Sequence, residues 1–410
     1  MIFGAIADDY TGGSDLTGML FEQGVRVAQT FGVPSAELMA RLGAGYDAIT
    51  VCLKSRAIDP GDACRLSLLA LERLMDASPR QIQFKYCSTF DSTERGNIGP
   101  VTDALMTRLG CSSTIAVPAL PVNGRTQYLG HLFVNGVLLS ESPMRHHPVN
   151  PMSDSNLVRF LARQTTRRTA LVPLSAVREG VTATRAALGE GIALVDATSD
   201  ADLAIIARAF ADLPLITGGS GIAMHLPAVW RELGWLADQP RTPAHAKTEP
   251  SGVAVLAGSC SAATLRQLAH LRSMGVRVIE VDPARIAVDP LFEEASISIA
   301  SNGVAVVASS APPEAQTPGA AHAIEQLFGA LAVRLVAVTG VRRLIVAGGE
   351  TSGAVIDALA VPGVEVTGII DPGVPALRSV GQPSMRLALK SGNFGSEDFF
   401  SKTIRLFQQS

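Results

Sequence analysis

Cysteine is scarce in this 410-residue chain. The five present (Cys52, Cys64, Cys87, Cys111 and Cys260) are odd in number, scattered and without a C-x-x-C pair, so they read as reduced cytosolic thiols rather than a disulfide framework. Charge is also sparse. Asp, Glu, Lys and Arg make up 17% of the residues, the net charge is -3 and aromatics are only 5%, so there is neither a basic field nor an aromatic-laced Lys/Arg run for a nucleic acid. The opening run Met1 to Ala7 has no basic start and is stopped by Asp8 and Asp9, and no later segment offers about 18 uninterrupted apolar residues. Neither export nor membrane insertion is expected, and the cytoplasm is the expected location.

Several chemical signatures are missing as well. There is no G-x-x-x-x-G-K-[ST] and no G-x-G-x-x-G, so a P-loop and a dinucleotide fingerprint are unavailable. The run Gly218-Gly219-Ser220-Gly221 is followed by Ile222 where a nucleophile elbow needs glycine, which disfavours a serine hydrolase. After the first strand, Ala7 stands where a phosphoaspartate D-x-D-x-T motif would carry its nucleophile. The adjacent His146 and His147 lack a metal-binding helical spacing, which disfavours zinc.

What is abundant is apolar residues, at 47%, together with 38 glycines, enough to bury large cores. A short β-branched run, a Gly- or Ser-containing turn and a longer amphipathic stretch recur along the chain, which predicts βα units and an α/β fold with mostly parallel sheets flanked by helices. In the first part, strands are expected at 2–7, 48–53, 81–85, 114–117, 192–195 and 215–217; in the second, at 253–257, 277–281, 304–308, 344–347, 364–367 and 386–389. Between the two series, Ala237 to Gly252 carries three prolines and reads as a linker, placing the boundary near 245 and the domains at 1–240 and 250–410. The stretch Pro118 to Ser153 reads as a long irregular loop of the kind that carries function.

Three constellations of the first part could bind a small hydroxylated acid. Asp8 and Asp9, with Asp15 behind them, follow a strand at the end where parallel sheets bind ligands; they could hold Mg²⁺, accept a hydroxyl proton or grip a polyol, or simply end the strand and cap a helix. Lys85 opens into a hydroxyl-rich loop with Asp91, Ser92 and then Asn97, equipment that suits an anion, or an ordinary turn. Arg125, Arg145 and His146 could hold a carboxylate and hydroxyls. In the second part, three small-residue loops follow strands: Ser259 in Gly258-Ser259-Cys260-Ser261, the run Gly348-Gly349-Glu350-Thr351, and Gly392-Asn393. Glycines that permit close backbone approach, ahead of a helix N-terminus, suit phosphate.

These stretches resemble the four-carbon acid sugar kinase family over nearly the whole chain: IADDYTG-GSDL, STFDST followed by GNIGPV, then AGGETSGAV, DPGVPAL and LKSGNFGSEDFF, in that order. Gly13 departs from the family's acidic loop, where Ala is common. CSTFDSTERGNIGPV, RHHPVNPMSDSNL and GGETSGAVIDAL are most similar to the branch acting on 3-oxo-tetronates, with the D-threonate and D-erythronate branches next. The resemblance implies an N-terminal acid-sugar domain, a C-terminal ATP domain, an interdomain cleft and phosphorylation of the C4 hydroxyl with ATP and Mg²⁺. Asp8, Asp9, Lys85 and Asp91 would be catalytic; Asp15, Ser92, Asn97, Arg125, Arg145 and His146 would bind substrate; Ser259, Gly348, Gly349, Glu350, Thr351, Gly392 and Asn393 would bind nucleotide. A homodimer is left open, and a sensor that binds both ligands without transfer is the competing reading.

Overall fold

The computed structural model describes residues 1–146, 150–237, 252–281, 287–309, 321–381 and 383–409. They form two compact units, Met1–Arg241 and Thr242–Ser410. Residues 238–251 of the stretch read as a linker, and His147, lie outside the described residues.

The N-terminal unit is built on β1 (Phe3–Ala7), β2 (Val27–Phe31), β3 (Ala48–Cys52), β4 (Gln81–Lys85), β5 (Ser113–Val117), β6 (Arg125–Tyr128), β7 (His131–Val134), β8 (Val137–Leu138), β9 (Thr169–Val172), β10 (Gly191–Val195) and β11 (Leu215–Gly218). Eight of these make one parallel sheet in the order β2-β3-β1-β4-β11-β5-β10-β9. Strands β1, β3 and β4 are buried along their whole length, as expected of a parallel sheet covered on both faces. Phe3 of β1 packs on Trp230 with ring centroids 5.3 Å apart, in a core that also takes in Phe210, Ile206 and Leu16. The register aligns Ala7 with Cys52 and with Lys85, and Lys85 with Gly218, so four strand ends stand level at one edge.

Pro118 to Ser153 is not the irregular loop expected. It contains a separate antiparallel sheet, β6-β7-β8, whose second turn is Asn135-Gly136, both at positive φ (52° and 80°). An Asn-Gly pair between apolar residues is a strong hairpin signal, because both central residues of that turn need the left-handed region.

The C-terminal unit contains β12 (Val253–Ala257), β13 (Ile279–Glu280), β14 (Val304–Ala308), β15 (Arg343–Ala347), β16 (Gly363–Asp371), β17 (Val374–Ser379) and β18 (Arg386–Lys390). Its order is β13-β14-β12-β15-β18-β17-β16, parallel through β18 and antiparallel beyond. Ala257 stands level with Ala308 and Ala347, and Ala347 with Lys390. Its own core joins Leu268, Ile345, Phe399, Phe400 and Phe407. Both units are therefore α/β, with mostly parallel sheets flanked by helices. Among the described residues one helical stretch, Ala321–Thr339, is long and apolar enough to cross a membrane. Leu327, Phe328, Leu331, Ala332 and Leu335 on it are buried in the unit's interior.

Candidate active site

The chain leaves β1 at Asp8, whose N–H still donates to the Lys85 carbonyl at 3.0 Å. Asp9 then takes an extended conformation and caps the helix Tyr10–Glu22, its carboxylate accepting from the Gly12 N–H at 3.1 Å and the Thr11 hydroxyl at 2.9 Å. The loop after β3 carries Arg56 to this pair. It is fixed by the Ser55 N–H on the Asp8 carbonyl at 3.0 Å, and by the Asn97 amide, which donates to the carbonyls of Ser55, Arg56 and Ile58 at 2.6, 3.2 and 3.0 Å.

Arg56 is the centre of the cluster. Its Nε and Nη2 grip Asp8 bidentately at 2.9 and 2.8 Å, Nη2 also reaches Asp9 at 2.8 Å, and Nη1 lies 3.5 Å from Asp91. The other Asp91 oxygen accepts from Asn150 Nδ2 at 2.8 Å. Asp8 is buried, whereas the side chains of Arg56 and Asp9 remain 22% and 27% exposed, so these two are the members a ligand can touch.

The carboxyl groups are not equivalent. Burial pushes Asp8 up, and the Arg56 guanidinium only partly opposes it. Burial pushes Asp9 the same way, but Arg56, Lys85, the Thr11 hydroxyl and the Gly12 N–H together outweigh it and hold Asp9 below the usual carboxylate range. Burial alone would lower Arg56; Asp8 and Asp9 more than reverse this and keep it cationic. Asp15, buried behind them, is pushed up by burial against the pull of Lys85 and Ser220. One of its oxygens accepts from the Ser220 hydroxyl, and Oδ1 has no hydrogen-bond partner among the described residues. Ser220 follows Gly218, whose φ of 143° and close approach to the Val117 carbonyl, 2.1 Å from where a Cβ would sit, leave room for glycine alone.

The remaining candidates of this unit are placed as follows. Lys85 is buried, with Nζ donating to the Tyr86 carbonyl at 3.0 Å. Ser92 is buried and accepts from Gln164 Nε2 at 3.1 Å. Asn97 holds the Arg56 loop. Arg125 starts β6, donates to the Asn123 carbonyl and is close enough to bias the charge of Asp15. Arg145 and His146 sit exposed on the short turn Pro143–His146, with Arg145 donating to the Ser140 carbonyl at 3.3 Å. Thus Asp8, Asp9 and Asp91 gather around Arg56, with Lys85 and Asp15 beside them, while Arg145 and His146 are on the surface. Sequence reasoning passed over Arg56, and quoted Asn150 only within the run Arg145 to Pro151 without giving it a role. The one signal for Arg56 was its place three residues past the end of the strand expected at 48–53, which by itself does not set it apart from any other loop arginine.

In the C-terminal unit the three small-residue loops lie on adjacent strands and touch one another. A Cβ on Gly258 would fall 2.1 Å from Thr351 Oγ1, and one on Gly392 would fall 2.3 Å from Ser259 Oγ. Gly348, at φ 123°, precedes the helix Gly349–Ala358, whose start has no side-chain cap, and Gly349 and Glu350 are exposed there. Free N–H groups at a helix start, reached over glycine, suit a phosphate. Asn393 is exposed beside Gly392.

Two family descriptions match the chain, a sugar-binding N-terminal domain over residues 3–226 and a nucleotide-binding C-terminal domain over 254–400. A 3-oxo-tetronate kinase of Pseudomonas fluorescens is 46% identical over 98% of this chain and 96% of its own length. The chain belongs to the four-carbon acid sugar kinase family. A 3-oxo-tetronate kinase of Salmonella typhimurium is 42% identical over 99% of both chains. Among solved structures, a Haemophilus influenzae protein matches with a TM-score of 0.79 and 39% identity, over 98% of this chain and 100% of its own. A Salmonella typhimurium protein described as a tRNA synthase matches with a TM-score of 0.87 and 41% identity, over 98% and 99%. As a family member the protein is an enzyme, a phosphotransferase acting on an alcohol group of a sugar acid.

Proposed function

We propose that this kinase transfers the γ-phosphoryl group of ATP to the C4 hydroxyl of a 3-oxo-tetronate, with residues 1–240 holding the acid and 250–410 the nucleotide. The observation that carries the reading is the set of carboxylates after β1 and β4 gathered around Arg56 from the loop after β3, with Asp9 and Arg56 reachable from solvent. A hydroxylated anion meets both an acceptor for its hydroxyls and a cation for its charge.

In this reading Asp9 accepts a hydrogen bond from the attacking hydroxyl and aims its oxygen. Held below the usual carboxylate range, it is a weak base, which suits phosphoryl transfer, where the transition state is loose and the proton leaves late. Asp8, locked on Arg56, positions rather than reacts. Lys85 and Asp15 set the field behind, and Asp91 orients Arg56. Ser259, the 348–351 loop and Gly392 with Asn393 would receive the phosphates. Among the described residues no three His, Cys, Asp or Glu side chains converge on a metal position. Mg²⁺ would therefore be held chiefly by the nucleotide's own phosphates, its usual habit, and would neutralise their charge. The free cysteines fit a reducing cytoplasm, where ATP is at hand.

The test is a coupled ADP-release assay on the purified chain with 3-oxo-tetronates, D-threonate and D-erythronate, followed by phosphorus NMR of the product. ADP release with a 3-oxo-tetronate and a phosphate on C4 supports the reading. Preference for D-threonate or D-erythronate would move the protein to those branches, and binding of both ligands without ADP would make it a sensor.

A further inference from the structure

Lys390, the last residue of β18, is fully buried, and no carboxylate pairs with it among the described residues. A lone buried ammonium is costly and calls for an explanation. Its Nζ donates to the Thr264 hydroxyl at 3.0 Å and to the carbonyls of Ser391 and Gly392 at 3.2 and 3.0 Å. The Gly392 carbonyl is held further by the hydroxyls of Ser261 and Thr264, at 2.5 and 3.1 Å. Across a planar trans peptide, the C=O of one residue and the N–H of the next point in opposite directions. Drawing carbonyls 391 and 392 inward therefore turns the N–H groups of Gly392 and Asn393 outward, and neither is donated to a backbone acceptor among the described residues. Gly392 lies against Ser259, and the Gly348 N–H donates to the Lys390 carbonyl at 2.9 Å, so these amides face the same strand-end loops as the uncapped helix start at Gly349.

We propose that Lys390 is a positioning residue for the nucleotide's phosphates, fixing the Ser391–Asn393 peptides as an outward-facing anion nest and placing a full positive charge behind it. Such a nest binds anions through successive N–H groups, and a cation behind aligned peptides strengthens every one of them. The inference rests on the nucleotide-binding reading of the C-terminal unit. It goes beyond that reading by assigning part of the phosphate affinity to a side chain that no ligand touches.

Burial lowers the Lys390 ammonium to about 8, so its charge is present at neutral pH and lost in mild alkali. The other charged or titratable groups on the elements packed here are Arg266, His270 and Arg272, Arg343 and Arg386 on β15 and β18, Glu350, Asp357, Asp398, Lys402 and Arg405; none of them hydrogen-bonds Nζ among the described residues. Calorimetric titration of the full chain with ADP and with adenosine, both without metal, tests the idea. The wild type should lose about fivefold or more in ADP affinity between about pH 7 and pH 9.5, with adenosine binding flat. Lys390→Gln, which keeps a neutral donor, and Lys390→Met should bind ADP about tenfold more weakly at neutral pH, without that pH dependence and with adenosine unchanged. The wild-type titration needs no variant to fold. If wild-type ADP affinity is flat across this range and Lys390→Gln binds within about twofold of it, Lys390 has no such role while the nucleotide site stands. If the wild type takes up neither ADP nor adenosine, the nucleotide reading itself is wrong and this inference goes with it.

Discussion

At the scale of single residues, Asp9 is an observed helix cap and, in the function proposed above, a ligand-facing acceptor, and substitution can separate the two. Asparagine still accepts at an N-cap, so Asp9→Asn should leave stability within about 1 kcal/mol while turnover falls about a hundredfold and nucleotide affinity holds. Unchanged turnover would take Asp9 out of the chemistry. Arg56→Ala is a different kind of change. It strands Asp8, Asp9 and Asp91 together without their cation, and breaking a buried pair in this way costs about 3–5 kcal/mol. Denaturant unfolding should register that loss, and adding Asp8→Asn should restore part of it; no recovery in the double variant would show that repulsion is not the cause. The acidic loop was legible in the sequence because two adjacent carboxylates at a strand end are conspicuous. Arg56 was not, since nothing local marks an arginine that another loop, held by Asn97, carries back to them. Gly13 shows the same limit. Its departure from the family's usual Ala has a partner that only packing reveals, for a Cβ there would lie 2.0 Å from Cys52 Sγ.

At the scale of elements, continuous apolar runs made β12 and β14 readable to the residue and β1, β3 and β15 to within one, while β4 was readable to the residue from its polar–apolar alternation, Gln-Ile-Gln-Phe-Lys. The strands that escaped have polar or breaking residues for physical reasons. Strand β2 contains Gln29, which is buried because its amide group is satisfied by Ser14, Thr17 and the Tyr10 carbonyl. Strand β17 contains Pro375, which the antiparallel part of the sheet accommodates, and β9 is a short, half-buried strand at the end of its sheet. The expected strand at 277–281 shrinks to Ile279–Glu280. The helix Asp200–Phe210 offers an element-level test, since Ser199 and Asp202 form a reciprocal capping box. Burial pushes Asp202 up, but the N–H groups of Thr198 and Ser199 with the Thr198 hydroxyl outweigh this and lower it. A lowered carboxyl contributes stability above its unfolded value, near about 4, and loses it as pH falls through the folded value. Asp202→Ala should therefore cost about 1 kcal/mol at neutral pH, and the gap to wild type should close in acid. A gap that persists unchanged below about pH 2.5 would mean that packing, not the ionised cap, is responsible.

At the scale of the whole molecule, the two units each carry a hydrophobic core of their own, one drawn from residues 2–236 and the other from 253–407. Chains of 1–240 and 250–410 expressed separately should each unfold cooperatively, and ADP should raise the melting temperature of the second alone. Saturation at about a hundred times Kd corresponds to about 2.7 kcal/mol, enough to read in a melt. A shift in the N-terminal chain instead would reverse the assignment of ligands to domains. The alternation of strand and helix made the two-part α/β organisation visible from sequence; a side chain that reaches across tens of residues, as the Asn97 amide does to the Arg56 carbonyl, was beyond it.

The Asp9 carboxylate that faces solvent is also the acceptor for the Gly12 N–H. Any molecule that draws on that oxygen must loosen the first turn of the helix or tighten it. If a sugar acid binds at Asp9 as proposed, amide hydrogen exchange at Gly12 becomes a label-free gauge of which sugar acids engage the enzyme before a phosphate has moved.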